Sequence, residues 1–93
     1  MTLQIKIEFY GIARQRAQVS DTLISDVQNA IPLHQVLHHL AREFPDLNGE
    51  CIVDDQLQPG FVANINGEQF VTNPDHRIRP GESVLIMSAD AGG

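Results

Sequence analysis

Apolar and polar residues alternate along the start of the chain. Because strand side chains point alternately to the two faces of a sheet, a period of two predicts a strand with one buried face. A polar loop at 14–16 follows, and residues 19–27 predict a second strand that pairs with the first as a hairpin. The apolar residues of the first strand stand at every second position: Leu3, Ile5, Ile7 and Phe9.

An apolar stripe at helical spacing comes next. Its period predicts an amphipathic helix whose apolar side covers a core. Pro32 suits the first helical position, because its missing N–H would be unpaired there in any case. Pro45 is predicted to end the helix, since the residue before a proline disfavours helical geometry. The residues of the stripe are spaced alternately three positions and one position apart: Leu33, Val36, Leu37, Leu40, Ala41 and Phe44.

The second half of the chain predicts a tight hairpin and a last strand. Asn66-Gly67 separates the segments 61–65 and 68–71, and both turn residues tolerate the positive φ that a two-residue hairpin requires. The last strand is predicted over 83–87. A further short strand is predicted near Ile52-Val53.

The order of these elements predicts the fold class. A β-β-α-β-β-β order with one main helix packed on one face of a mixed sheet is an α+β roll. We expect this domain to span residues 1–87 and a flexible tail to span residues 88–93.

The charge of the chain bears on its partners. The 93 residues include 12 acidic and 6 basic ones, for a formal net charge of −6. Nucleic acids bind basic clusters, so this balance argues against nucleic-acid binding and against anionic membranes. The single cysteine, Cys51, cannot form an internal disulfide. No stretch approaches the roughly 20 apolar residues of a membrane span, and no signal-peptide pattern is present, so we expect a cytoplasmic location.

The sequence ends in Gly92-Gly93 after the last predicted strand. Two residues without Cβ form a slim end, which can enter an enzyme tunnel that a side chain would block. A carboxylate presented in this way can be activated as an acyl-adenylate. Attack by sulfur then gives a thiocarboxylate, whereas attack by an amine gives an amide. Small termini are common, so the diglycine gains its weight from its place after the roll.

Four segments and the diglycine end follow an order that resembles a known family. They are the opening 5–11 with Ala13-Arg14, the helix start at 32–37, the hairpin 65–68 and the turn 79–84. Together they resemble the sulfur-carrier branch of the ubiquitin-like β-grasp family, above all the small subunit of molybdopterin synthase. The likeness covers nearly the whole chain.

The resemblance implies a mechanism and its partners. An E1-like adenylating enzyme would use ATP and magnesium to activate the carboxylate of Gly93, and a sulfur source would convert it to a thiocarboxylate. Gly92 would be the slim neighbour. An acceptor such as the large subunit of molybdopterin synthase would take the sulfur for molybdenum cofactor synthesis. The carrier would bind no cofactor or metal, and would be a protein co-substrate that is not catalytic alone.

Two places depart from the family pattern. Ser88-Ala89 stands where prolines are common, and Asp90 stands where a small apolar residue is common. A negative charge close to the end of the chain would either hinder docking in a dry groove or pair with a basic residue there. The departures bear on the choice of partner more than on the carrier role.

Apolar residues also point outward in the predicted strands. An exposed apolar patch typically marks a protein contact, although a helix, a loop or self-association can also cover such residues. In the family, the position of Met87 commonly makes an apolar contact with partners. We therefore expect a partner-binding surface formed by Tyr10, Val62, Leu85 and Met87.

Three other residue types are candidates for chemistry. His34 and His38 stand one helical turn apart and could share a metal, but no third ligand is evident, which favours a solvated helix face. Cys51 follows Glu50 and has no basic neighbour in sequence to lower its pKa, which favours a structural role. Lys6 is the only lysine, and the lack of a second lysine would limit self-acylation and the formation of lysine-linked chains.

Two other kinds of function stay open. A protein modifier would share the activation step and end in an amide bond between Gly93 and a target lysine. A plain β-grasp binding module would not need the diglycine. Among carriers, the motifs do not separate molybdopterin synthesis from thiamine synthesis, cysteine synthesis or transfer-RNA thiolation.

Overall fold

The alternating strands join into one mixed sheet with a helix across one face. The computed structural model describes residues 3–89. In chain order the elements are β1 (Gln4–Phe9), α1 (Ile12–Ala17), β2 (Asp21–Ser25), β3 (Ile31–Pro32), α2 (Leu33–Glu43), a 3₁₀-helix (Pro45–Leu47), β4 (Ile52–Val53), β5 (Gln56–Leu57), β6 (Phe61–Ile65), β7 (Gln69–Val71), β8 (Arg77–Ile78) and β9 (Ser83–Ser88).

The main sheet has five strands in the order β2-β1-β9-β6-β7. Strand β1 pairs with β2 as the predicted antiparallel hairpin and with β9 in parallel. Strand β6 pairs antiparallel with both β9 and β7. Two small two-stranded pairs, β3 with β8 and β4 with β5, lie outside this sheet. The predicted α+β class and mixed sheet are confirmed, and so is the short strand at Ile52–Val53.

The core lies between α2 and one face of the sheet. The predicted helix stripe is buried as expected, with Ala41 and Phe44 packed at its margin. The Phe9 and Phe44 rings meet edge to face, with centroids 5.4 Å apart. Burial of this apolar surface is the main stabilising term for a domain of this size. The residues of helix and sheet with no exposed surface are Ile5, Ile7, Leu33, Val36, Leu37, Leu40, Ala63, Val84 and Ile86.

The start of α2 differs from the prediction by one residue. Pro32 is not the first helical residue but the extended residue before it, with φ −68° and ψ 154°, and it pairs with Arg77 in the adjoining strand. The first helical N–H groups find backbone acceptors there: Leu33 N–H donates to His76 O at 2.7 Å and His34 N–H to Pro74 O at 2.9 Å. These bonds replace the side-chain cap that the sequence lacks. The helix ends at Glu43, before Pro45, as predicted.

The predicted loop at 14–16 is wrong, because these residues belong to the short helix α1. Ala13 and Ala17 lie one turn apart and are buried, while Arg14 and Arg16 are exposed. Two alanines give a weak apolar signal, so the helical period was hidden by the polar residues between them.

The Asn66-Gly67 turn is confirmed. Both residues have positive φ, 57° and 73°, and Glu68 N–H donates to Ile65 O at 2.9 Å to close the turn. The Asn66 side chain also accepts a hydrogen bond from Ser83 N–H at 2.9 Å, which ties the hairpin to the start of β9.

None of the helices within residues 3–89 is both long enough and apolar enough to cross a membrane.

Candidate functional site

Strand β9 carries the chain toward Gly92-Gly93 from the middle of the sheet. It is hydrogen-bonded to β1 on one side and to β6 on the other. It extends through Ser88, one residue past the predicted end of the domain, and Ala89 N–H then donates to Gly60 O at 2.6 Å. The base of the tail is therefore held firmly, whereas Gly92 and Gly93 lie outside the described residues.

Alternation along β9 separates the two faces of the sheet. Val84 and Ile86 are fully buried on the face that α2 covers, the inner face. Leu85 and Met87 point to the opposite face, the outer face, and both are only partly buried. A single strand thus supplies the core and an accessible surface at the same time.

The four predicted partner-binding residues come together at the outer face. Val62 is the cross-strand neighbour of Met87, and Leu85 is two residues earlier on the same strand. Tyr10 follows β1 directly, its N–H donates to Ile86 O at 3.0 Å, and its side chain is 50% exposed. Their common position is a property of the fold.

Two further residues complete this surface, and sequence reasoning missed both. Phe70 of β7 is 68% exposed, and Asn64 lies between it and Leu85 in a row across the sheet. Alternation with the buried Val71 could have identified Phe70, but nothing in the sequence marks Asn64. The apolar residues of this surface form the outer patch: Tyr10, Val62, Phe70, Leu85 and Met87.

A groove of about 830 Å³ opens beside the end of β9. Tyr10, Ile12, Arg14, Val19 and Ser88 contribute to its lining. The groove shares Tyr10 with the outer patch, so the apolar surface continues past the strand end to the point where the tail begins. It also adds the exposed Arg14 cation next to that point.

Cys51 is not a nucleophile at neutral pH. Its side chain has no exposed surface. Burial, with a smaller contribution from the charge of Glu50, raises the pKa of the Cys51 thiol to about 11, although Arg16 acts in the opposite direction. Thiolates rather than thiols attack electrophiles, so this protonated group agrees with the structural role expected from the sequence.

The helix histidines pair with carboxylates. Nδ1 of His38 lies 3.1 Å from Oδ1 of Asp55, and Nε2 of His39 lies 2.9 Å from Oε2 of Glu43. In the part of the chain that the structure describes, no three His, Cys, Asp or Glu side chains are grouped so that they could hold a metal ion. These pairs belong to the solvated surface of α2, where exposed ion pairs contribute little to stability.

Several solved structures share this architecture. No protein-family model matches the chain, and no curated protein matches it. SAMP1 from Haloferax volcanii superposes with a TM-score of 0.78 at 16% identity, over 97% of this chain and 99% of that one. Urm1 from Trypanosoma brucei gives 0.73 at 20% identity, over 99% and 97%. A putative molybdopterin converting factor subunit 1 from Pyrococcus furiosus gives 0.69 at 17% identity, over 92% and 97%.

Identities this low establish a shared fold and leave the activity to be argued from the site. The superpositions nevertheless cover almost the full length of both partners in each pair. The expected resemblance is confirmed at this level: the chain has the ubiquitin-like β-grasp fold.

Proposed function

We propose that the chain is a cytoplasmic sulfur carrier whose terminal carboxylate, on Gly93, is converted to a thiocarboxylate and donates its sulfur in molybdopterin synthesis. The observation that carries the proposal is the placement of β9. This strand leads toward Gly92-Gly93 from the centre of a β-grasp sheet, and the outer patch lies beside the point where it ends.

The proposed chemistry has two steps, and both involve the carboxyl group of Gly93. An oxygen of the Gly93 carboxylate attacks the α-phosphorus of ATP on an E1-like adenylating enzyme, and pyrophosphate leaves with magnesium. Hydrosulfide then attacks the carbonyl carbon of the acyl-adenylate, AMP leaves, and the thiocarboxylate is formed. In this proposal the adenylating enzyme supplies the catalytic groups and the metal, and the chain acts as a co-substrate.

In this proposal the surface of the domain binds the partner, and the tail enters the partner's active site. The five residues after Ser88 reach at most roughly 17 Å when fully extended, so the enzyme must approach the end of β9 closely. Gly92 and Gly93 would fit a narrow tunnel because they lack side chains. The outer patch and the neighbouring groove would give the body of the carrier an apolar docking surface for the adenylating enzyme and for the sulfur acceptor.

Molybdopterin synthesis is the pathway that one structural neighbour favours. The Pyrococcus furiosus protein is described as subunit 1 of a putative molybdopterin converting factor. The large subunit of a molybdopterin synthase would then be the acceptor of the sulfur.

Intact mass spectrometry tests the carrier chemistry. The full chain is incubated with the adenylating enzyme of its own organism, ATP, magnesium and sulfide. The expected result is a mass gain equal to the replacement of one oxygen by sulfur, localised to Gly93 by fragmentation. The spectrum of the untreated protein also establishes whether Gly93 carries the free carboxylate that the proposal needs.

A variant that lacks Gly92-Gly93 is the matched control and should gain no sulfur. An unchanged mass of the wild-type chain, with an enzyme that thiolates another carrier, would contradict the proposal. Transfer of the sulfur to a molybdopterin precursor in the presence of the large subunit would then separate this pathway from the other thiolation pathways.

A protein modifier is the second candidate, and a specific similarity favours it. The Haloferax volcanii and Methanosarcina acetivorans neighbours are described as small archaeal modifier proteins. A modifier would leave an amide bond between Gly93 and a target lysine. Because Pro80 follows Arg79, trypsin would leave the segment 78–93 on the target rather than a bare diglycine. A search for that branched remnant on lysines therefore distinguishes the modifier from the carrier.

A further inference from the structure

Asn64 is a polar side chain that is buried on the outer side of the sheet. It is 9% exposed, and it is the one polar residue of the described chain that is buried. Its Oδ1 atom has no hydrogen-bond donor among the residues that the structure describes. Buried side-chain oxygens in folded proteins nearly always have such a donor, so this one needs an explanation.

The position of Asn64 supplies the explanation. On the outer face, it lies between Leu85 of β9 and Phe70 of β7, and Val62 precedes it by two residues on the same face of β6. Its neighbours on three sides therefore belong to the outer patch. The unpaired oxygen is therefore bordered on three sides by the apolar surface that would meet a partner.

A partner that covered this surface with apolar groups alone would bury the amide completely and leave its oxygen unpaired. A buried oxygen without a donor weakens binding by more than a matched hydrogen bond strengthens it. Asn64 would therefore select against a purely apolar partner. A partner that places one N–H donor at this point would satisfy the oxygen and gain a bond with a fixed position. Asn64 thus favours partners with a donor at the centre of an apolar contact.

Charge decides which kind of donor fits. Glu8 lies in the same row, on the far side of Leu85, and is partly buried. Within residues 3–89 no hydrogen bond or ion pair engages its carboxylate, not even with Lys6 two residues earlier on this face. The chain also has a net charge of −6. A cationic donor is therefore attracted to this row, whereas a neutral donor gains nothing from Glu8.

We propose that Asn64 determines partner specificity by accepting, through Oδ1, a hydrogen bond from an arginine or lysine that the adenylating enzyme presents within an otherwise apolar surface. The inference rests on the proposed function for the identity of the partner. Its physical basis, within residues 3–89, is the unpaired oxygen of Asn64 next to the outer patch and the unpaired Glu8 carboxylate in the same row.

Two variants of the full chain test the role of Asn64. Asn64→Leu keeps a side chain branched at Cγ but removes the acceptor. Asn29→Leu makes the same change at an exposed loop position and is the matched control. Binding to the adenylating enzyme is measured by calorimetry, and stability is measured by urea unfolding without any partner.

We expect Asn64→Leu to weaken binding by about tenfold or more while it raises the urea midpoint of the free protein. The two effects have opposite signs because the amide is unpaired in the free protein and paired in the complex. Asn29→Leu should leave affinity unchanged. A lower urea midpoint for Asn64→Leu would show that the amide is already satisfied in the free protein, which overturns the inference.

The remaining outcomes separate this inference from the proposed function. Equal affinity of wild type and Asn64→Leu for the enzyme would overturn the role of Asn64 and leave the carrier function intact. Failure of the wild type to bind the enzyme would overturn the proposed function together with the partner assigned here.

Glu8→Gln tests the cationic character of the donor. It should weaken binding at low salt and make the affinity less sensitive to added salt. An unchanged salt dependence would overturn the cationic donor. Formation of a dimer of this chain that Asn64→Leu abolishes would replace the enzyme by a second copy as the occupant of the outer patch.

Discussion

The two faces of the five-stranded sheet are built from the same strands but differ in what covers them. On the inner face, Ile86 has no exposed surface, because it lies in the core cluster to which the apolar stripe of α2 also belongs. On the outer face, the next residue, Met87, is only partly buried. Apolar residues on the inner face stabilise the fold, whereas those on the outer face are available for a partner.

Ile86→Ala tests the inner half of this comparison and should have the largest effect. Removing a fully buried isoleucine loses transfer free energy and leaves a cavity under α2, so the free energy of unfolding should fall by about 2–5 kcal/mol. Urea unfolding measures the change. The neighbouring variant Met87→Ala is the control and should cost less than about 1 kcal/mol. Equal losses for the two variants would mean that the outer face also stabilises the fold.

Met87→Ala tests the outer half and should act on binding. Truncation of a residue at the centre of an interface typically costs about 1–2 kcal/mol of binding free energy, or roughly a five- to thirty-fold loss of affinity. Calorimetric titration against the adenylating enzyme measures it, with the fold checked by the unfolding midpoint. Unchanged affinity for both the adenylating enzyme and the sulfur acceptor would remove Met87 from the docking surface.

The elements with a strong local sequence pattern could be predicted from the sequence. The alternation of Ile5 and Ile7, the stripe on α2 and the Asn66-Gly67 turn all reappear in the structure, because each local pattern agrees with the fold. Two kinds of element were missed. Helix α1 has only two buried alanines, and the strands β3 and β8 have two residues each, too few to show a period.

The candidate site was predictable in part for a similar reason. The outward positions of Leu85 and Met87 follow from alternation along one strand. The burial of Asn64 does not follow from alternation, because it depends on Phe70 and Leu85 from the two neighbouring strands. Register between strands is a tertiary property, and a single strand sequence does not specify it.

The pH dependence of stability should report a buried thiol in the core. The pKa of Cys51 is about 11 in the fold against 9.0 when unperturbed. Below the unperturbed value both states hold the proton, and the full stability is present. As pH rises from 9.0 toward 11, the unfolded state loses the proton first, so stability should fall over that window.

Urea unfolding at pH values on either side of 9.0 measures this fall. Cys51→Ala is the comparison, and only the slope against pH matters, because the smaller side chain also lowers stability at every pH. The variant should show the shallower slope. Identical slopes for the two proteins would mean that the Cys51 thiol is as accessible to ionisation in the fold as in the unfolded chain.

Leu23→Ala should have the smallest effect. It tests whether an exposed apolar residue contributes to binding only when it lies inside the outer patch. Leu23 is 49% exposed on the outer side of the edge strand β2, where it pairs with Lys6 and lies outside the outer patch. We expect a change of less than about 0.5 kcal/mol in stability and no change in affinity for the adenylating enzyme. Phe70→Ala, at the opposite edge but inside the patch, should weaken binding. If Leu23→Ala weakened binding as much as Phe70→Ala, the docking surface would span the whole outer face. The outer patch would then not differ from the rest of that face.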